Sequence, residues 1–265
     1  MWLMKVLMVG DIVGSPGRRM FRQTVAKLRA DGAVHVVVAN AENAAAGNGI
    51  TRELARELFD AGADVLTMGD HTWGQKDTDQ AFAGEKRLVR PANFAPDCPG
   101  MGWTVIQSAL GPLAILNLVG RVFMPPVDCP FRAADAAFKT LPGGVPVIVD
   151  FHAEATSEKI ALGLYLDGRV AAVAGSHTHV QTSDACVLPG GTGYITDVGM
   201  TGPTGGVIGR ESAPVLRKFV TGMPSKFDVS KGLAVLEGVI FEIDGSTLKC
   251  LSAVSLRVRE VKAAG

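Results

Sequence analysis

This 265-residue chain lacks an excess of charge of either sign: Lys and Arg total 26, and Asp and Glu total 26. That balance excludes a protein built around a broad basic surface for duplex nucleic acid, though not one that takes a small nucleotide. Cysteine is scarce. The four present, Cys98, Cys129, Cys186 and Cys250, are scattered and form no C-x-x-C pair, which argues against a zinc ribbon and for free thiols in a reducing, cytoplasmic setting. Long hydrophobic runs are missing as well: none approaches the roughly 20 residues that span a bilayer. The apolar start, MWLMKVLMVGDIVG, is short and lacks a small-residue cleavage site, so it reads as a first buried strand. A soluble protein with no membrane partner is expected. Histidine is rare too, with five in the chain, and no serine or cysteine nucleophile arrangement stands out.

What is present is an alternation of two textures. Residues 5–11, 35–43, 64–71, 112–120, 146–152 and 170–177 are short, continuous runs rich in Val, Ile and Leu, the mark of strands buried on both faces. Helical patterns fall between them, over 18–32, 51–62, 130–144 and 156–168. The second opens on Thr51 as an N-cap and closes on glycine. Beyond about residue 185 the texture changes: 188–209 reads as a glycine-rich loop holding one short strand. A β-hairpin around Asp244-Gly245 follows. No linker or repeat marks a boundary, and the expectation is one α/β domain over 1–265.

The buried runs finish in a telling way. The first ends in Asp11, the second in Glu42-Asn43, the third in Asp70-His71, the fifth in His152 and the sixth in His177-x-His179. In α/β folds, ligands bind beyond the carboxyl ends of the strands. A lone aspartate there is usually a turn former, and a lone histidine usually packs. The count changes the reading, because four of the five histidines sit at strand exits and only His35 lies at a strand start. Carboxylates, a carboxamide and imidazoles without thiolate suit borderline first-row cations. Three carboxylates, Asn43 and the imidazoles are too many donors for one tetrahedral zinc and match two cations about 3.5–4 Å apart, the clamp used for displacement at phosphorus.

At these residues the sequence resembles the calcineurin-like metallophosphoesterases. Its motifs GDIVGSPGR, NAENAAAGNGIT, GDHTW, DFHAEATSEK, GSHTHVQT and ITDVGMTGP are similar to the YmdB-like branch of bacterial phosphodiesterases. The resemblance implies a four-layer α-β-β-α sandwich, two mixed sheets flanked by helices, with a dinuclear centre on one rim. It implies that Asp11, Glu42, Asn43 and His179 hold one metal, and that Glu42, Asp70, His152 and His177 hold the other, with Glu42 as the bridge. It also implies that a bridging hydroxide attacks the phosphodiester and His71 acts as general acid. The cofactors implied are two divalent or mixed-valence ions, iron or manganese, with zinc as a further option. The partner implied is a small phosphodiester such as a 2′,3′-cyclic nucleotide. A metal-binding, nucleotide-sensing protein with little turnover is the alternative function.

Two departures from the wider pattern stand out. Val13 occupies the place of the histidine in the usual Asp-x-His, and the resemblance to the YmdB-like branch implies that Asn43 supplies the replacement donor. Asp70 stands where the wider family has asparagine. An aspartate can ligate through one oxygen, but its charge would bind a cation more tightly, weaken it as a Lewis acid, and raise the pKa of a nearby His71. Other segments leave alternatives open. Gly14, Ser15 and Gly17 could meet an anion at a helix start or form a simple turn. Trp73 could stack on a base or pack. Thr201, Gly202 and Pro203 are expected to border the site, and residues 121–131 could form a homo-oligomer interface.

Overall fold

The computed structural model describes residues 2–261. Its elements run β1 (Leu3–Val9), β2 (Asp11–Ile12), α1 (Gly14–Ala30), β3 (Val36–Asn40), α2 (Arg52–Asp60), β4 (Val65–Thr67), α3 (Thr78–Phe82) and β5 (Leu88–Val89). Then come β6 (Trp103–Ser108), β7 (Gly111–Val119), α4 (Pro130–Phe138), β8 (Val147–His152), α5 (Thr156–Leu166) and β9 (Ala172–Ser176). The last are β10 (Cys186–Val187), β11 (Gly193–Ile195), β12 (Met200–Pro203), α6 (Ser212–Thr221), β13 (Ala234–Asp244) and β14 (Lys249–Arg259).

Two mixed sheets result. The eight-stranded sheet has the order β2-β12-β13-β1-β3-β4-β5, with β14 on β13; the six-stranded sheet runs β10-β11-β9-β8-β7-β6. In the first, β1, β3, β4 and β5 are parallel; in the second, β7, β8, β9 and β11 are. Parallel strands buried on both faces need apolar residues at successive positions, and VVVAN in β3 and VIVDFH in β8 are buried throughout.

Three apolar clusters show the layering. Met4, Val6, Val36 and Val38 of the first sheet meet Leu113, Ile115, Ile148 and Ala172 of the second, so the sheets pack face to face. The outer face of the first sheet, through Leu7, Val37 and Leu66, takes Phe21 and Val25 of α1 and Leu58 of α2. The outer face of the second, through Leu116, Val149 and Val173, takes Ala134 of α4 and Leu162 of α5. Period-two alternation along each strand sends consecutive side chains to the two interfaces. The four-layer α-β-β-α sandwich is the fold.

Local differences from the sequence expectation have physical causes. Helix α1 begins at Gly14, not residue 18, because Pro16 sits in its first turn, where a missing N–H leaves no bond unmade. The Gly14 N–H donates to the Asn43 carbonyl at 3.0 Å and Ser15 is exposed, so this segment is a helix start braced by the neighbouring loop. The glycine-rich stretch holds two short strands, β11 and β12, not one. Thr51 caps α2 as expected, its Oγ1 accepting the Leu54 N–H at 3.3 Å. No helix among the described residues is long and apolar enough to cross a membrane.

Candidate metal centre

The parallel strands of both sheets point their carboxyl ends to one rim. Asp11 starts β2 just past β1, Glu42-Asn43 follow β3, and Asp70-His71 follow β4; His152 ends β8, and His177 and His179 follow β9. The first sheet thus delivers the acidic residues and the second three of the imidazoles. Their meeting depends on Gly69, where a Cβ would stand 2.2 Å from His152 Cδ2 and 2.3 Å from Glu42 Oε2. Any side chain there would push the two sheets' donors apart.

One group is formed by Glu42, Asp70, His152 and His177, whose donor atoms all lie within 4.8 Å of one another. His152 Nε2 is 3.0 Å from Asp70 Oδ1, 3.3 Å from Glu42 Oε2 and 3.0 Å from His177 Nδ1. Beside it lie Asp11, Asn43 and His179: His179 Nε2 is 3.2 Å from Asp11 Oδ2 and 3.3 Å from Asn43 Nδ2. Glu42 stands between the groups, with Oε2 toward His152 and Oε1 accepting from Asn43 Nδ2 at 3.0 Å. The structure therefore brings together all eight residues singled out from the sequence. His35 lies apart, its Nδ1 accepting the Lys5 N–H at 2.9 Å.

The donor set fits cations. Asp11 is fully buried, yet neither of its carboxylate oxygens makes a hydrogen bond, which leaves both as acceptors open to a cation. His179 donates from Nδ1 to the Ile208 carbonyl at 3.0 Å, leaving the Nε2 lone pair toward Asp11. His152 is oriented the same way: its Nδ1 meets Ser176 Oγ at 3.0 Å, and that hydroxyl donates to Asp150 Oδ1 at 2.6 Å. Such a carbonyl or relayed carboxylate behind an imidazole fixes the ring and its tautomer for ligation.

The electrostatics agree. Burial alone would raise the carboxyls of Glu42 and Asp70, but charge and hydrogen bonds from His152, with His71 on Glu42 and His177 on Asp70, hold both below the usual range. Burial would lower His152 and His179; the negative charge of Glu42 on the first and the Asp11 carboxylate on the second outweigh it and raise both. The field that holds protons on these rings is the field that attracts a divalent cation in their place.

His71 presents Nδ1 to Asn43 Oδ1 at 2.9 Å and to Glu42 Oε1 at 3.1 Å, while its Nε2 is 3.9 Å from Asp70 Oδ2, beyond hydrogen-bond reach. Its pKa is raised, first by the hydrogen bond to Glu42, against burial, with the charges of Glu42 and Asp70 adding to it.

Sequence reasoning passed over three contributors. Glu154 Oε2 lies 3.1 Å from His177 Nε2. Asp150 is buried in mid-strand, pushed up to about 6 by burial despite hydrogen bonds from Ser176 and Thr67. Asp197 takes both the N–H and the hydroxyl of Thr178, the residue between the two histidines. A carboxylate inside the apolar run VIVDFH was the available signal for Asp150. Thr201 and Gly202 pair with β13, and Thr201 also pairs with Ile12 of β2; the Thr201 carbonyl takes the Val13 N–H, so this strand buttresses the Asp11 segment.

Known proteins resemble the chain over nearly its whole length. The chain is 45% identical to a Bacillus subtilis protein described as a 2′,3′-cyclic-nucleotide 2′-phosphodiesterase, over 97% of this chain and 98% of that one. The crystal structure of a phosphatase from Mycoplasma pneumoniae superposes with a TM-score of 0.92 at 36% identity, covering 98% of this chain and 94% of that one. A likeness in fold alone reaches the NAD nucleotidase of Haemophilus influenzae, at a TM-score of 0.59 and 11% identity, over 98% of this chain and 56% of that one. A family model described as YmdB-like protein matches residues 7–256. The chain belongs to the YmdB-like family, and its fold is of the metallophosphoesterase type.

Proposed function

We propose that the protein is a metal-dependent phosphodiesterase of small nucleotide-like substrates, 2′,3′-cyclic nucleotides among them. The observation that carries the reading is Glu42, buried between two donor groups with one oxygen turned to each. Asp11, Asn43 and His179 would hold one ion and Asp70, His152 and His177 the other, with Glu42 shared. Iron or manganese suits this nitrogen and oxygen set, and zinc is also compatible. Asn43 would ligate through its carboxamide oxygen. When bound, two such ions supply a water of lowered pKa and neutralise charge on the phosphoryl oxygens.

The chain's own groups do the rest. Ile208 O and the Ser176–Asp150 pair hold the His179 and His152 rings in the tautomer that leaves Nε2 available. His71, its proton retained by Glu42, has Nε2 free to protonate the leaving alkoxide. That step matters because an alkoxide of high pKa departs poorly without a proton near neutral pH. Relatedness to a named diesterase and a matching donor set both support the assignment.

The test is hydrolysis of bis-p-nitrophenyl phosphate and of adenosine 2′,3′-cyclic phosphate with added Mn²⁺, beside Glu42→Ala. Turnover by the wild type that is lost in the variant is expected. Metal bound at two equivalents with no wild-type turnover would favour a nucleotide-sensing protein instead. Activity indifferent to Glu42→Ala would remove the shared carboxylate from the chemistry.

A further inference from the structure

A cavity of about 570 Å³ opens directly against the candidate metal centre, with Asp70 belonging to both. This is a normal size for a small-molecule site. Its walls are mostly apolar, formed by Trp73 and Phe94 and, from the loop after β7, by Pro125 and Pro126. No Lys, Arg or His lines it, and both acidic residues there, Asp70 and Asp128, would repel an anion. The phosphate of a substrate therefore belongs at the cation-binding cluster, and the cavity suits an uncharged, flat, apolar group beside it.

The walls are preformed. Trp73 is held by Phe82 and Phe94, with ring centroids at 5.7 and 6.2 Å, and still leaves 41% of its surface exposed. The loop is pinned at both ends. The Glu158 carboxylate accepts the N–H groups of Arg121 and Val122, and the Asn93 amide donates to the Val119 and Asp128 carbonyls at 2.7 and 2.9 Å. Asn93 Oδ1 accepts the Val119 N–H, and with both Nδ2 hydrogens on the two carbonyls Asn93 has no donor left for a ligand. Asp70 is turned to His152. The Asp128 carboxylate makes no hydrogen bond among the described residues and can only accept when ionised.

We propose that this cavity is the nucleobase subsite of the enzyme, with the base held on the Trp73–Phe94 side and an exocyclic amino group donating to Asp128. The inference rests on the diesterase reading for its phosphate end and adds the base class: adenine or cytosine over uracil, which presents a carbonyl at the position of that amino group.

Two measurements test it separately from the chemistry. In ligand-observed NMR with adenosine, uridine and ribose, adenosine binds the wild type better than uridine, and ribose does not bind measurably. Trp73→Ala loses adenosine binding, and Trp73→Phe restores part of it. Asp128→Asn, an exposed position with no side-chain bond to lose, narrows the adenosine-over-uridine preference. In turnover, kcat/KM for adenosine 2′,3′-cyclic phosphate exceeds that for glycerol 1,2-cyclic phosphate by about tenfold to a hundredfold, the scale of one base stack. Trp73→Ala reduces that ratio. Adenosine binding no stronger than ribose, or unaffected by Trp73→Ala, overturns the subsite. So does equal hydrolysis of the nucleotide and the base-free diester, which leaves the diesterase reading standing. Adenosine binding that needs Trp73 in a protein hydrolysing neither diester supports the subsite and removes the diesterase reading instead.

Discussion

Lys159 and Asp197 form an ion pair with Nζ 2.7 Å from Oδ2, both side chains 1% exposed. The same Asp197 oxygen accepts the Thr178 N–H at 3.0 Å and its hydroxyl at 2.7 Å. Thr178 lies between His177 and His179, which adopt φ of 104° and 63°, a region that non-glycine residues rarely enter. A buried pair thus holds a strained turn that sends one imidazole to each donor group. Removing one partner leaves an uncompensated charge, and Asp197→Ala is expected to lower stability by roughly 3–5 kcal/mol, measured by urea denaturation. Thr178→Val, which keeps the N–H bond and the ion pair, is expected to lose far less stability but to bind Mn²⁺ more weakly. Unchanged metal affinity in Thr178→Val would separate the turn from the site.

Most of the site was legible because the donors stand at strand ends, where the run of Val, Ile and Leu stops and polar chemistry begins. His177 and His179 could be paired from the sequence since the residues share a short turn. What set their directions was not legible: Asp197 is 20 residues beyond His177, and only the packing of α5 beneath β9 puts Lys159 opposite it. Asp150 and Ser176 act through a hydrogen bond between neighbouring strands, and no local pattern encodes it. The fold shows the same division. Long buried strands announced themselves, whereas β5 and β10, two residues each, are too short to show a period. Helix α6, absent from the sequence reading, buries only Val215 and so has little apolar face to read.

His71→Ala is expected to retain bound metal, because its ring reaches the cluster only through Asn43 and Glu42. Its kcat on adenosine 2′,3′-cyclic phosphate should fall by about 10²–10⁴, while turnover of bis-p-nitrophenyl phosphate, whose leaving group needs no proton, should fall much less. Equal losses on the two substrates would count against proton donation by this ring.

The negative charge of Asp70 contributes to the raised pKa of His71, after the hydrogen bond and charge of Glu42. Replacing it by the isosteric amide in Asp70→Asn removes one stabilising influence on the imidazolium. The acid form is then lost at a lower pH, and the alkaline limb of the kcat profile should move toward acid. A limb that stays in place would mean that a different group sets it.

The two donor groups can be separated by substitution. His179→Ala removes the imidazole facing Asp11, and His177→Ala the one facing Asp70 and His152. Each is expected to bind about one fewer metal equivalent than the wild type, read by elemental analysis after dialysis against Mn²⁺. Adding Mn²⁺ to chelator-treated wild type should raise its stability, by about 2.7 kcal/mol at a hundredfold excess over Kd. Loss of both equivalents in each variant would show a single cooperative cluster.

Asp150 supplies a pH signature independent of turnover. Buried and pushed up to about 6, it binds a proton in the folded protein at a pH where the unfolded chain has released it. Folding is then linked to proton uptake, so this group's contribution to stability falls as pH rises from about 4 to about 6 and is level above. Asp150→Asn cannot titrate, and its amide still accepts from Ser176 through Oδ1. In chelator-treated protein, the stability of Asp150→Asn minus that of the wild type is therefore expected to grow between pH 4 and pH 7, by on the order of 3 kcal/mol at 1.36 kcal/mol per unit. Denaturant titrations at four or five pH values would show it. A difference independent of pH would mean that Asp150 is ionised throughout, its charge held by the hydroxyls of Ser176 and Thr67 and by the His152 ring.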